Sequence, residues 1–429
     1  MITARDMAPA AAITTAPLSY VPPQAQATPF RERLLLPVLY VTVLLSSIAF
    51  IEPSPHDFLM GLLAVVCLIA GVRFDRWLAL PLVLLLLWNA AGTVALSNSV
   101  SEANAIQSAA TAWYLAIAAI IFASLFSENT ARRMDVLRAA YVPTAVVAAL
   151  IGTAGYFHLT PGELFTLSGR AMGAFKDPNV FGPFLIWPAL IVTERMMTRR
   201  ISVLDLGVTA VLLLGLLLSF SRGAWFHFVV SCAVMLAFAV MVAPSTAKRM
   251  RIVTLSALGS AALAMLLVIL LSIPSIGSFF FERAQLIQSY DVGQGGRFGL
   301  QQLALAAILD FPGGLGPEEF SRIHGLQPHN VYLQVFMVSG WVGALSYIML
   351  VLSTLWVGLR SAFVRTPWQT YMIVAYATFV GEVAEGFIID TDHWRHFYLL
   401  LGMIWGMAAA TRKIARDSSA IGQPGAALA

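Results

Sequence analysis

A handful of cationic and imidazole side chains in this chain stand where an anion and a proton would have to be handled. Between two apolar runs the chain reads LLSFSRGAWFHF, which leaves almost no loop and sets Arg222 at the rim of a hydrocarbon layer. A guanidinium held there is costly unless it meets an anion, and its planar fork takes phosphate oxygens two at a time. The same position suits a side chain that snorkels to lipid headgroups with Trp225 as an interface anchor, so both readings stand. Gly223 is expected to allow the tight turn. In GQGGRFG, Arg297 lies among Gly293, Gly295, Gly296 and Gly299, a backbone free enough to bring amide groups and a guanidinium to one anion, or simply a flexible loop. Further on, Pro328 ends a loop and His329 and Asn330 open an apolar helix in QPHNVYLQVFMVSGWVGAL. An imidazole with a pKa of about 6.5 can accept a proton from a hydroxyl at neutral pH, and Asn330 caps the helix or orients the ring.

Two further groups belong with these. Arg170 and Lys176 in SGRAMGAFKDPNVFGPF add positive charge, with Asp177 as a partner for one of them and Pro178 and Asn179 as a helix-start device. Architecture and ligand contact are both open for this segment. Glu382 and Glu385, three residues apart, share one face of an apolar helix, where carboxylates are functional candidates by default. They would neutralise the arginines, serve as a second base, or form a structural ion pair.

The elements that position these residues follow from composition. The chain is 59% hydrophobic and 11% charged, with mean hydropathy +0.80 and a net charge of +4; a soluble domain carries roughly 25% charged residues. The apolar residues fall in repeated runs able to cross a hydrocarbon core of ~30 Å as helices. The expected fold is therefore all-α, a polytopic membrane bundle of about twelve spans: 34–51, 57–72, 77–97, 107–126, 137–157, 179–194, 201–220, 223–243, 251–273, 331–359, 368–389 and 395–411. Residues 1–33, rich in Ala, Pro and Thr, are expected to be a disordered cytoplasmic tail, 34–412 the membrane domain, and 413–429 a cytoplasmic tail. With the N-terminus inside, nineteen of the 26 basic residues lie on the cytoplasmic side. The seven exceptions, Arg170, Lys176, Arg222, Arg283, Arg297, Arg322 and Arg395, fall outside, as do all seven histidines on or near that side. Cys67 and Cys232 lie within apolar runs, which leaves packing as their role.

Two outer segments are long, 158–178 and 274–330, and loops of more than about 15 residues are usually functional. Within the second, RFGLQQLALAAILD puts Phe298, Leu305 and Leu309 on one face, interrupted by Gln302, so a short helix on the membrane surface or over the bundle is expected. A lid or acceptor-binding cap is its natural role.

Taken together, SFSRGAW at a span boundary, GGRFG in a long outer loop and PHNVYLQVFMVSGWVGA opening the next span resemble the bacterial O-antigen ligase and polysaccharide polymerase superfamily. GRAMGAFKDPNVFGPFL also resembles a segment of polymerase-like members. The resemblance implies a metal-independent, inverting transfer, without cofactor, at the periplasmic face of the inner membrane. The implied donor is a glycan linked to undecaprenyl diphosphate; the acceptor is another glycan or lipid A-core, with a chain-length regulator as a further partner and no nucleic acid. It implies His329 as base and Arg222 and Arg297 as holders of the diphosphate, with Arg170 a weaker transfer; Asn330, Glu382, Glu385 and Lys176 would be supporting residues. Two other classes remain. A transporter or flippase of polysaccharide precursors also fits twelve spans, although it would place polar sites near the midplane. Asp390 and Asp392 resemble the acidic pair of metal-dependent glycosyltransferases, a match of two carboxylates that arises often by accident.

Overall fold

The computed structural model of the chain describes residues 29–99, 103–285, 292, 293 and 295–421. Among them a helix overlaps every apolar stretch read from the sequence. In order these are α1 (Phe30–Leu44), α2 (Pro55–Ile69), α3 (Ala79–Ala95), α4 (Ala103–Phe126), α5 (Thr130–Tyr156), α6 (Pro178–Phe184) continued by α7 (Ile186–Thr198), α8 (Val203–Leu218), α9 (Arg222–Val242) and α10 (Thr246–Leu271). Then come α11 (Pro274–Arg283), α12 (Arg297–Asp310), α13 (Glu319–His324), α14 (Val331–Ala362), α15 (Gln369–Glu385) and α16 (Arg395–Ile421). Two two-residue strands, β1 (Thr166–Leu167) and β2 (Arg170–Ala171), pair antiparallel.

Among the described residues seven helices are long and apolar enough to cross a membrane, and α2 and α8 are shorter apolar helices. Their surroundings must be apolar too: α10 has a window of mean hydropathy 2.4 with only 6% of it buried in the protein, so its leucines and valines face outward. In water that surface would be driven inward. The helices pack as pairs, α14 on α3, α16 on α4 and α15 on α9. Small residues permit this. A Cβ on Gly402 or Gly406 of α16 would stand 2.6 Å from Phe122 Cβ or 2.8 Å from Phe126 Cβ of α4, the close backbone approach that membrane helices use where lipid offers no hydrophobic drive.

Several local expectations change. The first helix starts at Phe30, ahead of the tail boundary expected at 33, because Glu32 in its first turn is buried 2.7 Å from Arg133 of α5; residues 1–28 lie outside the described ones, as do 422–429, while α16 continues through Ile421. The stretch read as one span from 331 breaks at Gly340, whose φ of 62° and ψ of −164° are not helical. Hydropathy is blind to this. Trp341 N donates to Pro312 O and Leu315 N to Met337 O, so the 311–316 loop plugs into the kink, where a Cβ on Gly340 would strike the Pro312 carbonyl. In α12 the buried face is Leu300, Ala304 and Ile308, packed on Met337, while Phe298, Leu305 and Leu309 are exposed. The helix is apolar on two sides, and the one free of Gln302 docks.

Candidate functional site

At one end of the bundle a cavity of about 510 Å³ is lined by Arg170, Arg222, Arg283, Arg297 and His329, with Asn179 and Gln301 beside them. The sequence-predicted Arg170, Arg222, Arg297 and His329, spread over 160 positions of the chain, thus share one space. Each is set by a helix terminus or a tight turn. Arg170 sits on the two-strand hairpin whose turn is made by Ser168 and Gly169, both at positive φ. Its Nε donates to Ser219 O at 2.8 Å and its Nη2 to Asn179 Oδ1 at 2.7 Å. Asn179 is itself fixed by Asp177, the N-cap of α6, which accepts from Asn179 N at 2.8 Å. Asp177 therefore caps a helix rather than pairing with Arg170 or Lys176.

Arg222 is the first residue of α9, after the N-cap Ser221, and donates to Gln285 O at 2.9 Å. The residue that makes the turn is Phe220, at φ 45°, and not Gly223. Gly223 has a different cause. A Cβ there would stand 2.6 Å from Glu385 Oε1, so the missing side chain lets the start of α9 lie against α15. Arg297 is the first residue of α12, with Gly296 as its N-cap. Arg283 lies in the last turn of α11 with its guanidinium 5.2 Å from the Phe279 ring centroid.

This placement has an electrostatic consequence. Helix N-termini carry roughly half a positive charge from unsatisfied N–H groups, and anions there are stabilised by about 0.3–1 kcal/mol each at exposed sites, more when partly buried. Cations in a first turn are therefore opposed by the dipole. Arg222 and Arg297 both occupy first turns, and α14 begins beside His329, so three helix starts and four guanidiniums border one cavity. Helix starts and guanidiniums are both groups that favour an anion with several oxygens.

His329 has φ 51°, a conformation uncommon outside glycine, held because Asn330 immediately after it caps α14: the Asn330 side chain accepts from Tyr332 N at 3.0 Å. The Asn330 backbone N donates to Asp390 Oδ1 at 2.9 Å. The other carboxylate oxygen lies 3.6 Å from His329 Nδ1. Burial, with Asp392 nearby, pushes the Asp390 carboxyl up to about 7. Asp390 thus fixes the backbone at the base of the imidazole and faces its Nδ1.

The remaining predicted residues lie elsewhere. Lys176 pairs with Glu52 at 2.9 Å. Glu385 lies 2.8 Å from His227 Nδ1, and His227 Nε2 meets Thr378 O at 2.9 Å, a fully buried clamp between α9 and α15. Glu382 is buried 3.4 Å from His396. None of these three lines the arginine cavity. Sequence reading passed over Arg283 as a cavity residue and Asp390 as the partner of His329. Arg283 sits in an ordinary amphipathic stretch. Asp390 is 61 positions from His329, and its DTD setting suggested a metal pair instead.

The comparisons with known proteins bear on the same stretch. A search of the curated proteins returns no match. The family model described as O-antigen ligase matches residues 207–348, from α8 into α14, which includes Arg222, Arg297 and His329 but neither Arg170 nor Asp390. With seven membrane-length apolar helices among the described residues, the chain has the make-up of a multi-pass membrane protein, and its residues 207–348 are similar to the O-antigen ligase family.

Proposed function

We propose that the protein moves a glycan from an undecaprenyl-diphosphate donor to an acceptor hydroxyl at the periplasmic face of the inner membrane, with inversion and without a metal. In this reading twelve helices span the bilayer, both termini are cytoplasmic, and the arginine cavity opens outward. The observation that carries it is the convergence on one cavity of Arg222, Arg297 and His329, at or beside helix starts, with Arg170 from the two-strand hairpin.

The chemistry divides between the two kinds of side chain. With Nδ1 of His329 turned toward Asp390, Nε2 is the nitrogen that takes the proton of the acceptor hydroxyl. The acceptor oxygen bonds to the anomeric carbon as the bond from that carbon to the diphosphate oxygen breaks, and the diphosphate leaves with the electron pair. Charge growing on that oxygen is stabilised by guanidiniums fixed before the reaction, which therefore need no reorganisation during it. Attack on the face opposite the leaving group inverts the anomeric centre. A position at one end of the bundle favours transfer over transport, which places its site near the midplane.

The test is reconstitution of the full chain in liposomes with a lipid-linked donor and acceptor, in the presence of a chelator. Formation of glycoside together with free lipid diphosphate is expected. Donor consumption that requires a divalent cation, or movement of intact donor across the bilayer with no new glycoside, overturns the assignment.

A further inference from the structure

A second cavity, of about 550 Å³, adjoins the first, and this inference rests on the transfer reading above. His329 lines the arginine cavity, Asp390 lines the second, and their side chains lie 3.6 Å apart, so the imidazole–carboxylate pair forms part of the wall between them. The two spaces differ in chemistry. The arginine cavity is lined by four guanidiniums, whereas the second is lined by planar amides, hydroxyls and Trp88 together with charged side chains of both signs.

Two of those amides are unsatisfied. Gln334, one turn beyond the cap of α14 and 7% exposed, lines the second cavity, and among the described residues its Oε1 has no hydrogen-bond partner. Gln327 Nε2 donates to Glu318 Oε2 and to Ser321 Oγ, both at 3.2 Å, while its Oε1 also lacks a partner among the described residues. Leaving a buried amide oxygen unmatched is costly, and a hydroxyl donor is the group that relieves it.

The charges on this lining point the same way. Lys176 is held by Glu52 at 2.9 Å, Arg395 by both oxygens of Asp57 at 3.0 and 2.8 Å, and His393 lies 3.3 Å from Asp392. Each cation is thus matched by a carboxylate, and Glu318 and Asp390 add further acidic groups. A phosphorylated ligand would meet net repulsion here.

We propose that the second cavity is the acceptor subsite and that it takes an uncharged, hydroxyl-rich glycan, delivering one hydroxyl across the His329–Asp390 wall to the donor. Gln334 and Gln327 are the specificity-determining residues, each accepting a sugar hydroxyl. A site built to hydrogen-bond hydroxyls rejects ligands that leave its buried polar groups unmatched.

The experiment uses the full chain in liposomes at saturating lipid-linked donor. Two acceptor probes are titrated: the neutral repeat oligosaccharide released by mild acid from the host's own surface polysaccharide, and a phosphorylated core oligosaccharide. Gln334→Leu is expected to raise the KM for the neutral acceptor about tenfold, and Gln107→Ala, at an exposed residue that also lines this cavity, about threefold, as expected for the loss of one hydrogen bond. The donor KM should hold in both, and the phosphorylated probe should bind the wild type at least tenfold more weakly than the neutral one. Unchanged acceptor KM in both variants, or preference for the phosphorylated probe, overturns the subsite while leaving transfer intact. Wild-type protein that makes no glycoside with either probe sinks the transfer reading and this inference with it.

Discussion

At one end of the bundle Arg133 is fully buried with its Nη1 donating to Leu125 O at 2.6 Å and its Nη2 2.7 Å from Glu32, which also accepts from Asn129. At the other end Arg222 and Arg297 begin helices on the wall of a cavity of about 510 Å³, and Arg170 donates there to a carbonyl and to an amide oxygen. The residue type is the same. What differs is the setting: Arg133 is sealed in the interior beside Glu32, whereas the other guanidiniums line a space large enough for a ligand. The first arrangement joins α1 to α5, and the second sets cations against helix dipoles on a cavity wall.

That contrast predicts opposite phenotypes. The largest effect on turnover is expected from His329→Ala, since a positioned base contributes roughly 10²–10⁴-fold. Glycoside formation in reconstituted membranes should fall by that factor while the protein inserts and purifies as the wild type does. Normal glycan from this variant would remove the imidazole from the mechanism. Arg133→Ala, at the opposite end, should instead lower stability by about 3–5 kcal/mol by stranding Glu32 in the interior. Thermal unfolding in detergent reads this directly, and the surviving folded fraction should transfer at the wild-type rate; loss of turnover without loss of stability would mean that the two ends are not separate in function.

Arg222→Lys sharpens the comparison by keeping the charge and removing the fork. An ammonium cannot reproduce a bidentate contact, and losing one charge-assisted hydrogen bond costs about 1.5–3 kcal/mol, or roughly 10- to 150-fold in kcat/KM for the donor. Wild-type kinetics in this variant would favour a guanidinium that only snorkels to lipid.

Asp390→Asn tests the partner of the base. Because burial favours the protonated carboxyl, Asp390 ionises only near pH 7; the carboxylate that can hold an imidazolium at Nδ1 is present above that pH and is lost as the pH falls through it. The wild-type rate should therefore drop on the acid side of about pH 7. In Asp390→Asn the rate should be about tenfold lower above pH 7 and that limb should disappear. An unchanged pH profile would separate Asp390 from the chemistry.

How much of this was legible in the sequence depends on the range of the interaction. Hydropathy marks each apolar helix because burial in lipid acts on whole stretches. The motif residues Arg222, Arg297 and His329 stand out locally, since a guanidinium at a span boundary or a histidine before a helix is unusual at short range. What joins them is not local. Asp390 reaches His329 only because α15 returns the chain beside the start of α14, where Val331 N donates to Gly386 O. Gly223 reads as a turn glycine, yet its cause is Glu385 on another helix. Gly340 likewise needs the 311–316 loop to explain it. Hydrophobic patterning could not choose the docked face of α12 because both of its faces are apolar; complementarity with Met337 decides.

The smallest effect is expected where a cation is paired at the surface. Lys413 Nζ lies 2.9 Å from Asp75 Oδ2 with its side chain 48% exposed, at the same end as Arg133. Solvent and salt screen such a pair, and its contribution is about 0–1 kcal/mol, so Lys413→Ala should leave unfolding nearly unmoved and transfer unaffected. This separates two meanings of positive charge at that end. If the excess of Lys and Arg there sets orientation during insertion, it acts collectively, and one substitution leaves the topology intact while multiple substitutions including Arg412 and Arg416 disturb it. Protease accessibility of the C-terminus in oriented vesicles distinguishes the cases. A single Lys413→Ala change that reversed the accessible side would mean that one ion pair, and not the summed charge, fixes the orientation of the bundle.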